Sequence, residues 1–149
     1  MDRMYLPESE DRLLTPHFKL SEMTFCVGDK LVLPNDECLT NLIRLCREHL
    51  EPLRSVFGPI YINSGYRDLK KNIAVGGAKN SYHLYGCACD IPMGSLYWGL
   101  RFASYLLVNN DSVRSNYQIA ELILHKKQNY IHLAMRKDAT DLKFYIDIL

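Results

Sequence analysis

The hydrophobic pattern changes its period along the chain, and that change limits the fold more than any other feature. Cys38, Leu39, Leu42, Ile43, Leu45, Cys46, Leu50 and Leu53 recur at threes and fours, the spacing of one helix face, and Gly58 closes the run. Pro52 lies inside it and predicts a kink. Tyr97, Leu100, Phe102, Ala103, Leu106 and Leu107 define a second amphipathic helix over 95–108. Beyond it the spacing shortens, and 118–125, 130–135 and 142–148 read as strands, the first two joined by a Lys-Lys-Gln-Asn turn suited to a hairpin. Helices early and hairpins late predict one α+β domain, an antiparallel sheet with two main helices packed on it.

Between the helices, Ile60-Tyr61-Ile62 is short, β-branched and aromatic, so it predicts a buried strand ending at Asn63-Ser64-Gly65. Asp68 to Val75 has helical spacing and stops at Gly76-Gly77. Residues 1–20 lack periodicity and contain Pro7 and Pro16, which predicts an extended N-terminal arm ahead of a domain over 21–149. Ser21-Glu22 has the look of a cap for a short turn.

A chain of 149 residues can bury roughly 70% of its unfolded surface, so it owns a core without a partner and is expected to be a monomer. Its 18 basic and 17 acidic side chains leave a net charge of +1, no surplus with which to grip nucleic acid or an anionic membrane surface. The most apolar stretch, 96–108, is broken by Arg101 and Ser104 and falls short of the roughly 20 residues of a membrane span. The first twenty residues carry charge in place of the apolar run of an export signal. Five cysteines without paired spacing fit free thiols in a reducing compartment, so synthesis in the cytoplasm is expected.

Chemistry concentrates between Ser64 and Ile91, which holds four of the eight glycines together with Arg67, His83 and Asp90. Glycines gather where backbone turns sharply or approaches something closely, so a loop-built site is expected there. His83 and Asp90 stand seven apart across Gly86, a spacing that a loop-to-strand bend folds onto one ion. His132, a polar ring between apolar neighbours on a late strand, needs a partner of its own. Two imidazole nitrogens, one carboxylate oxygen and an open position would make a catalytic zinc site on the sheet. On residues alone two other readings stay open: a hydrogen-bonded core histidine, and soft zinc ligation by Cys87 and Cys89. Alternation puts both cysteines on the strand face away from Asp90, which suits small core residues better.

The same residues resemble a known family, the zinc D-alanyl-D-alanine carboxypeptidases and related M15-like peptidoglycan peptidases, which include dipeptidases and phage endolysins. The resemblance runs through His17 to Phe25 (HFKLSEMTF), Leu50 to Arg54 (LEPLR), Ser64 to Arg67 (SGYR) and Asn72-x-x-Val75-Gly76-Gly77. It continues in Ser81-x-His83-x-x-Gly86-x-Ala88-x-Asp90 and ends in Ile131-His132. It implies zinc as cofactor, with His83, Asp90 and His132 as ligands. It also implies Arg67 as the cation that stabilises the oxyanion of the attacked carbonyl, Ser81 as a substrate-holding residue, and peptidoglycan stem peptides or D-Ala-D-Ala ends as substrate.

One position departs from the pattern. The family usually carries Asp or Glu three residues before the last ligand, as the base for zinc-bound water, and here that residue is Asn129. An amide cannot take the proton. The nearest substitutes are His125, across the same turn, and Glu121. A further departure is Ala134, where serine is common. The resemblance therefore leaves a silent zinc domain that recognises cell-wall peptides, or a structural domain of a phage or mobile-element particle, as alternatives to a working peptidase. Because the wall lies outside the membrane, either the protein is released with another factor, such as a holin or a phage particle, or its substrate is a cytoplasmic dipeptide or precursor.

Overall fold

The computed structural model describes residues 2–149. The N-terminal segment forms β1 (Met4–Pro7), β2 (Leu13–Thr15) and β3 (Phe18–Lys19), followed by α1 (Leu20–Met23), β4 (Cys26–Val27) and β5 (Lys30–Leu33). β1 lies antiparallel to β5, from Met4 opposite Leu33 to Pro7 opposite Lys30, and β4 flanks the other side of β5. The stretch without periodicity is thus extended and paired, in strands too short to display an alternation. The cap of α1 falls two residues before the Ser21 expected for it: Lys19 precedes the helix and its N–H donates to Glu22 at 2.7 Å, while the Ser21 hydroxyl donates to Asp11.

α2 (Asp36–Leu45) starts at Asn35, whose side-chain oxygen accepts the Cys38 N–H at 2.8 Å. It runs into a π-helical turn, Cys46–Leu50, and then α3 (Glu51–Phe57), which stops at Gly58 with φ 83°. The irregularity expected at Pro52 therefore lies ahead of it. Proline in the first turn of α3 needs no N–H partner there, and the wider turn before it takes up the missing hydrogen bond. The run 60–62 is not a strand. Its continuation touches the sheet only where the Asn63 and Asp90 N–H groups donate, each at 2.8 Å, to Asp90 O and Ser64 O, and Tyr61 is 74% exposed.

α4 (Leu69–Ala74) is capped by Asp68, and β6 (Ala88–Pro92), α5 (Leu96–Asn110), β7 (Ile119–His125), β8 (Tyr130–Met135) and β9 (Tyr145–Ile148) complete the chain. The main sheet has the order β6-β8-β7-β9 and is antiparallel through its first three strands. β9 joins the far edge in parallel with β7. Cys89, Ile91, Leu122, Leu124, Ile131 and Leu133 point into the core and are almost fully buried. α5 packs on that face with Gly99 beside Leu124, and Phe57 of α3 meets Phe102 of α5 at 4.7 Å. The alternate residues, Asp90, Glu121, Ile123, His125, Tyr130 and His132, share the other face and line a cleft. Among the described residues no helix is long and apolar enough to cross a membrane.

Candidate metal centre

Asp90 on β6 and His132 on β8 are direct partners in the antiparallel ladder, so their side chains rise from the same face. His83 reaches them from a 3₁₀ turn, Tyr82–Tyr85, that leads into β6. Ser81 caps the turn by accepting the His83 N–H at 3.2 Å. Gly86 ends it with φ 70°, and a Cβ there would run into the Cys38 carbonyl, so glycine is required on two counts.

The Asp90 Oδ1 atom lies 3.1 Å from His132 Nδ1 and 3.3 Å from His83 Nε2. One ligand atom from each of the three residues fits within 4.8 Å of the others. Four tetrahedral ligands at the usual zinc distances of about 2.0–2.1 Å stand about 3.3 Å apart, the spacing that Asp90 Oδ1 keeps from both histidine nitrogens. The histidines offer opposite ring nitrogens, and in each ring the second nitrogen also has an oxygen partner. His83 Nδ1 meets Gly65 O at 2.6 Å, and His132 Nε2 meets Glu121 Oε1 at 3.0 Å.

The electrostatics follow from burial and these contacts. Burial acts to raise the Asp90 carboxyl, but hydrogen bonds from His132 and His83 outweigh it and hold the group well below the usual carboxylate range. Burial acts to lower His132, yet Asp90 and Glu121 together raise it to about 9. Glu121 is brought down to about 2 by the His132 hydrogen bond, against burial and with help from Lys143. Cys87 and Cys89 are fully buried. Burial pushes both thiols up, Cys87 to about 12, so neither offers a thiolate near neutral pH.

Arg67 stands beside the triad with a guanidinium that donates to Ser64 Oγ at 3.1 Å, Asn72 Oδ1 at 3.3 Å and Asp90 Oδ2 at 3.2 Å. Asn72 is itself fixed by donating to Ala78 O at 2.8 Å. Gly77 leaves room for this arrangement, since a Cβ would meet the Asn72 side chain and crowd Arg67. Arg67, Ser81, His125 and the triad line one cleft of about 550 Å³, together with Glu121 and Lys143. His125 stacks on Tyr130 at 4.4 Å, and burial followed by the charge of His132 lowers its pKa. Asn129 is not part of the lining. It occupies the left-handed region at φ 61° in the β7–β8 turn, and its amide donates to Gly94 O at 3.2 Å. Lys143, which sequence reasoning missed, enters the cleft because the segment before β9 returns to the sheet edge.

Residues 16–134 match the family described as peptidase M15. The chain belongs to the peptidase M15 family. The matched span of this M15 chain includes the triad, Arg67, Ser81 and His125, and ends before Lys143 and β9. Over 48 residues the chain is 46% identical to the zinc D-Ala-D-Ala carboxypeptidase of Streptomyces albus G, a stretch covering 31% of this chain. The match spans 19% of the length of that curated relative.

Proposed function

We propose that this M15 chain is a zinc peptidase acting on peptidoglycan stem peptides or D-Ala-D-Ala-type ends, with His83, Asp90 and His132 as the metal ligands. The observation that carries this reading is the placement of two imidazole nitrogens around one carboxylate oxygen at zinc-like spacing, on the floor of an open cleft. The name of the Streptomyces albus G relative supports both the metal and the substrate class. Zinc, when bound, lowers the pKa of a coordinated water to about 7 and polarises a carbonyl oxygen.

The chain's own groups have separate tasks in this proposal. Arg67, always charged and pinned by Ser64 and Asn72, offers N–H groups to the oxygen on which negative charge develops or to a substrate carboxylate. Ser81 holds the turn that presents His83 and faces the cleft, where it holds substrate. His125 is the proton acceptor for the attacking water. Its lowered pKa keeps it neutral, and so able to accept, at neutral pH. A second reading, a zinc domain that binds cell-wall peptides without cutting them, is favoured by Asn129, whose amide is turned to Gly94.

Metal analysis combined with digestion of muropeptides and a D-Ala-D-Ala substrate tests the proposal. About one zinc per chain and measurable cleavage are expected, with zinc lost in His83→Ala and His132→Ala. Full zinc occupancy in the double variant would overturn the ligand assignment. Zinc retained by a wild type that cuts none of the substrates would favour the binding domain.

A further inference from the structure

Glu121 projects from β7 on the cleft face, and its two oxygens have different partners. Oε1 lies 3.0 Å from His132 Nε2, and Oε2 accepts from Lys143 Nζ at 2.7 Å. The Glu121 side chain is only 15% exposed. We propose that Glu121 is a positioning residue for His132, held in place by Lys143, and that this pair fixes which ring nitrogen His132 presents to the metal. The inference rests on the reading of His132 as a ligand.

Histidine binds metals through either nitrogen, and its ring torsion has two broad settings about a half-turn apart. What selects one setting is the partner of the other nitrogen. An ionised carboxylate only accepts hydrogen bonds, so Glu121 is satisfied when Nε2 carries the proton, which leaves the Nδ1 lone pair toward Asp90 and the ion position. His83 is fixed in the opposite sense by the Gly65 carbonyl at its Nδ1. The two rings thus converge through unlike nitrogens, each selected by an oxygen behind it. With one oxygen on His132 and the other on Lys143, Glu121 is committed to orientation and is not free to serve as the base.

Lys143 in turn is placed by the chain's last turn. Its N–H donates to Asp141 Oδ1 at 3.3 Å, and Asp141 Oδ2 accepts from the Tyr82 hydroxyl at 2.8 Å, one residue from His83. Because the family match ends at residue 134, the lysine half of this brace belongs to a segment outside the matched span.

The test is zinc affinity by chelator competition, with the visible spectrum of the cobalt(II) form, on the full chain. Glu121→Gln keeps an oxygen that accepts from Nε2, and Glu121→Met keeps the length without an acceptor. Glu121→Met is expected to bind zinc about 10–100-fold more weakly than the wild type, the usual range for a lost outer-shell partner, with a shifted cobalt spectrum. Glu121→Gln is expected to recover most of the loss, and Lys143→Met to lose affinity in the same direction by less. Equal zinc affinity and identical cobalt spectra in Glu121→Gln and Glu121→Met would overturn the inference. If Glu121→Met does not fold, an unchanged affinity and spectrum in Lys143→Met overturn the brace. A wild type that binds no zinc would instead overturn the ligand reading itself, so the two failures are distinguishable.

Discussion

Arg67 and Asp90 form an ion pair, Nη2 to Oδ2 at 3.2 Å, through the one carboxylate oxygen that His83 and His132 leave free. Both side chains are largely buried, at 14% and 10% exposure, so the pair is shielded from solvent. The arginine is therefore tied to the triad of His83, Asp90 and His132 as well as open to the cleft. A change at residue 67 acts on both.

Removing the guanidinium in Arg67→Ala leaves Asp90 with one buried oxygen unpaired, and losses of about 3–5 kcal/mol are usual for a broken buried pair. Arg67→Lys keeps the charge but cannot span Ser64, Asn72 and Asp90 at once. The lysine variant is expected to lose more than tenfold in cleavage rate while its thermal midpoint drops by only a few degrees. Thermal melts and rates per folded molecule, measured on one preparation, decide the matter. An unchanged rate with a large drop in midpoint would make Arg67 purely structural.

His125→Ala is expected to reduce the rate by about 10²- to 10⁴-fold with zinc still bound, the usual range for general acid–base catalysis. Since burial lowers the His125 pKa from 6.5, the acid limb of kcat/KM is expected below pH 6.5. Asn129→Asp is expected to restore nothing, because residue 129 is outside the cleft lining and a carboxylate there loses its hydrogen bond to Gly94 O. A nearly inert wild type that Asn129→Asp revives would place the base at residue 129.

The metal-free protein should show a pH dependence of stability with a definite sign. His132 is raised from 6.5 to about 9 in the fold, so its contribution is fully present below pH 6.5 and is lost as pH rises through about 9. Glu121 is lowered from 4.5 to about 2, so its contribution is present above pH 4.5 and is lost as pH falls toward 2. His125 and the buried His49, both lowered in the fold, lose their contribution below pH 6.5, so urea unfolding of the metal-free chain is expected to give maximal stability near pH 6.5 and a decline on either side. Zinc uptake at pH 7 is expected to release about one proton, read by calorimetry in buffers of different ionisation enthalpy. A stability that still climbs from pH 6.5 to 9 would contradict the charged His132.

Gly86 and Gly94 both have left-handed backbone, φ 70° and 72°, but only at Gly86 does an added Cβ meet anything. Gly94→Ala is expected to cost about 1–2 kcal/mol from backbone strain alone. Gly86→Ala adds the collision with Cys38 O, displaces the turn that holds His83, and is expected to lower both stability and zinc affinity. Equal stability losses in the two alanine variants, by urea titration, would show that the turn yields freely.

The sequence made the main scaffold legible where period and punctuation agreed. Ser95 starts α5, Asn129 turns the β7–β8 hairpin, and Gly58 stops α3, each at its expected place. The gathering of His83, Asp90 and His132 was legible from spacing and resemblance together, because two of the three lie on strands that pair directly. Elsewhere the deciding contacts are long-range. Met4 pairs with Leu33 across strands too short to alternate, and Ile60 to Ile62 satisfied every local strand criterion yet found no ladder. The contact of Glu121 with His132 follows from the hairpin register, which sets Glu121 opposite Ala134 and Ile123 opposite His132, but that of Lys143 depends on a parallel edge strand, which no local pattern encodes.

The π-helical turn at Cys46–Leu50 changes the phase of the long helical run. Leu45 and Leu50 are five positions apart and both fully buried. In an unbroken α-helix, at about 100° per residue, that spacing would put them roughly 140° apart around the axis. The wide turn absorbs one residue and narrows that angle, so Leu50 stands closer to the line of Leu45 on a face that Cys46 and Leu53 already share. Arg47, exposed within that turn, is the kind of residue whose removal restores an even α-helical pitch. The run therefore has a built-in length tolerance of one residue, and Leu50 and Leu53 on its far side would still meet the core.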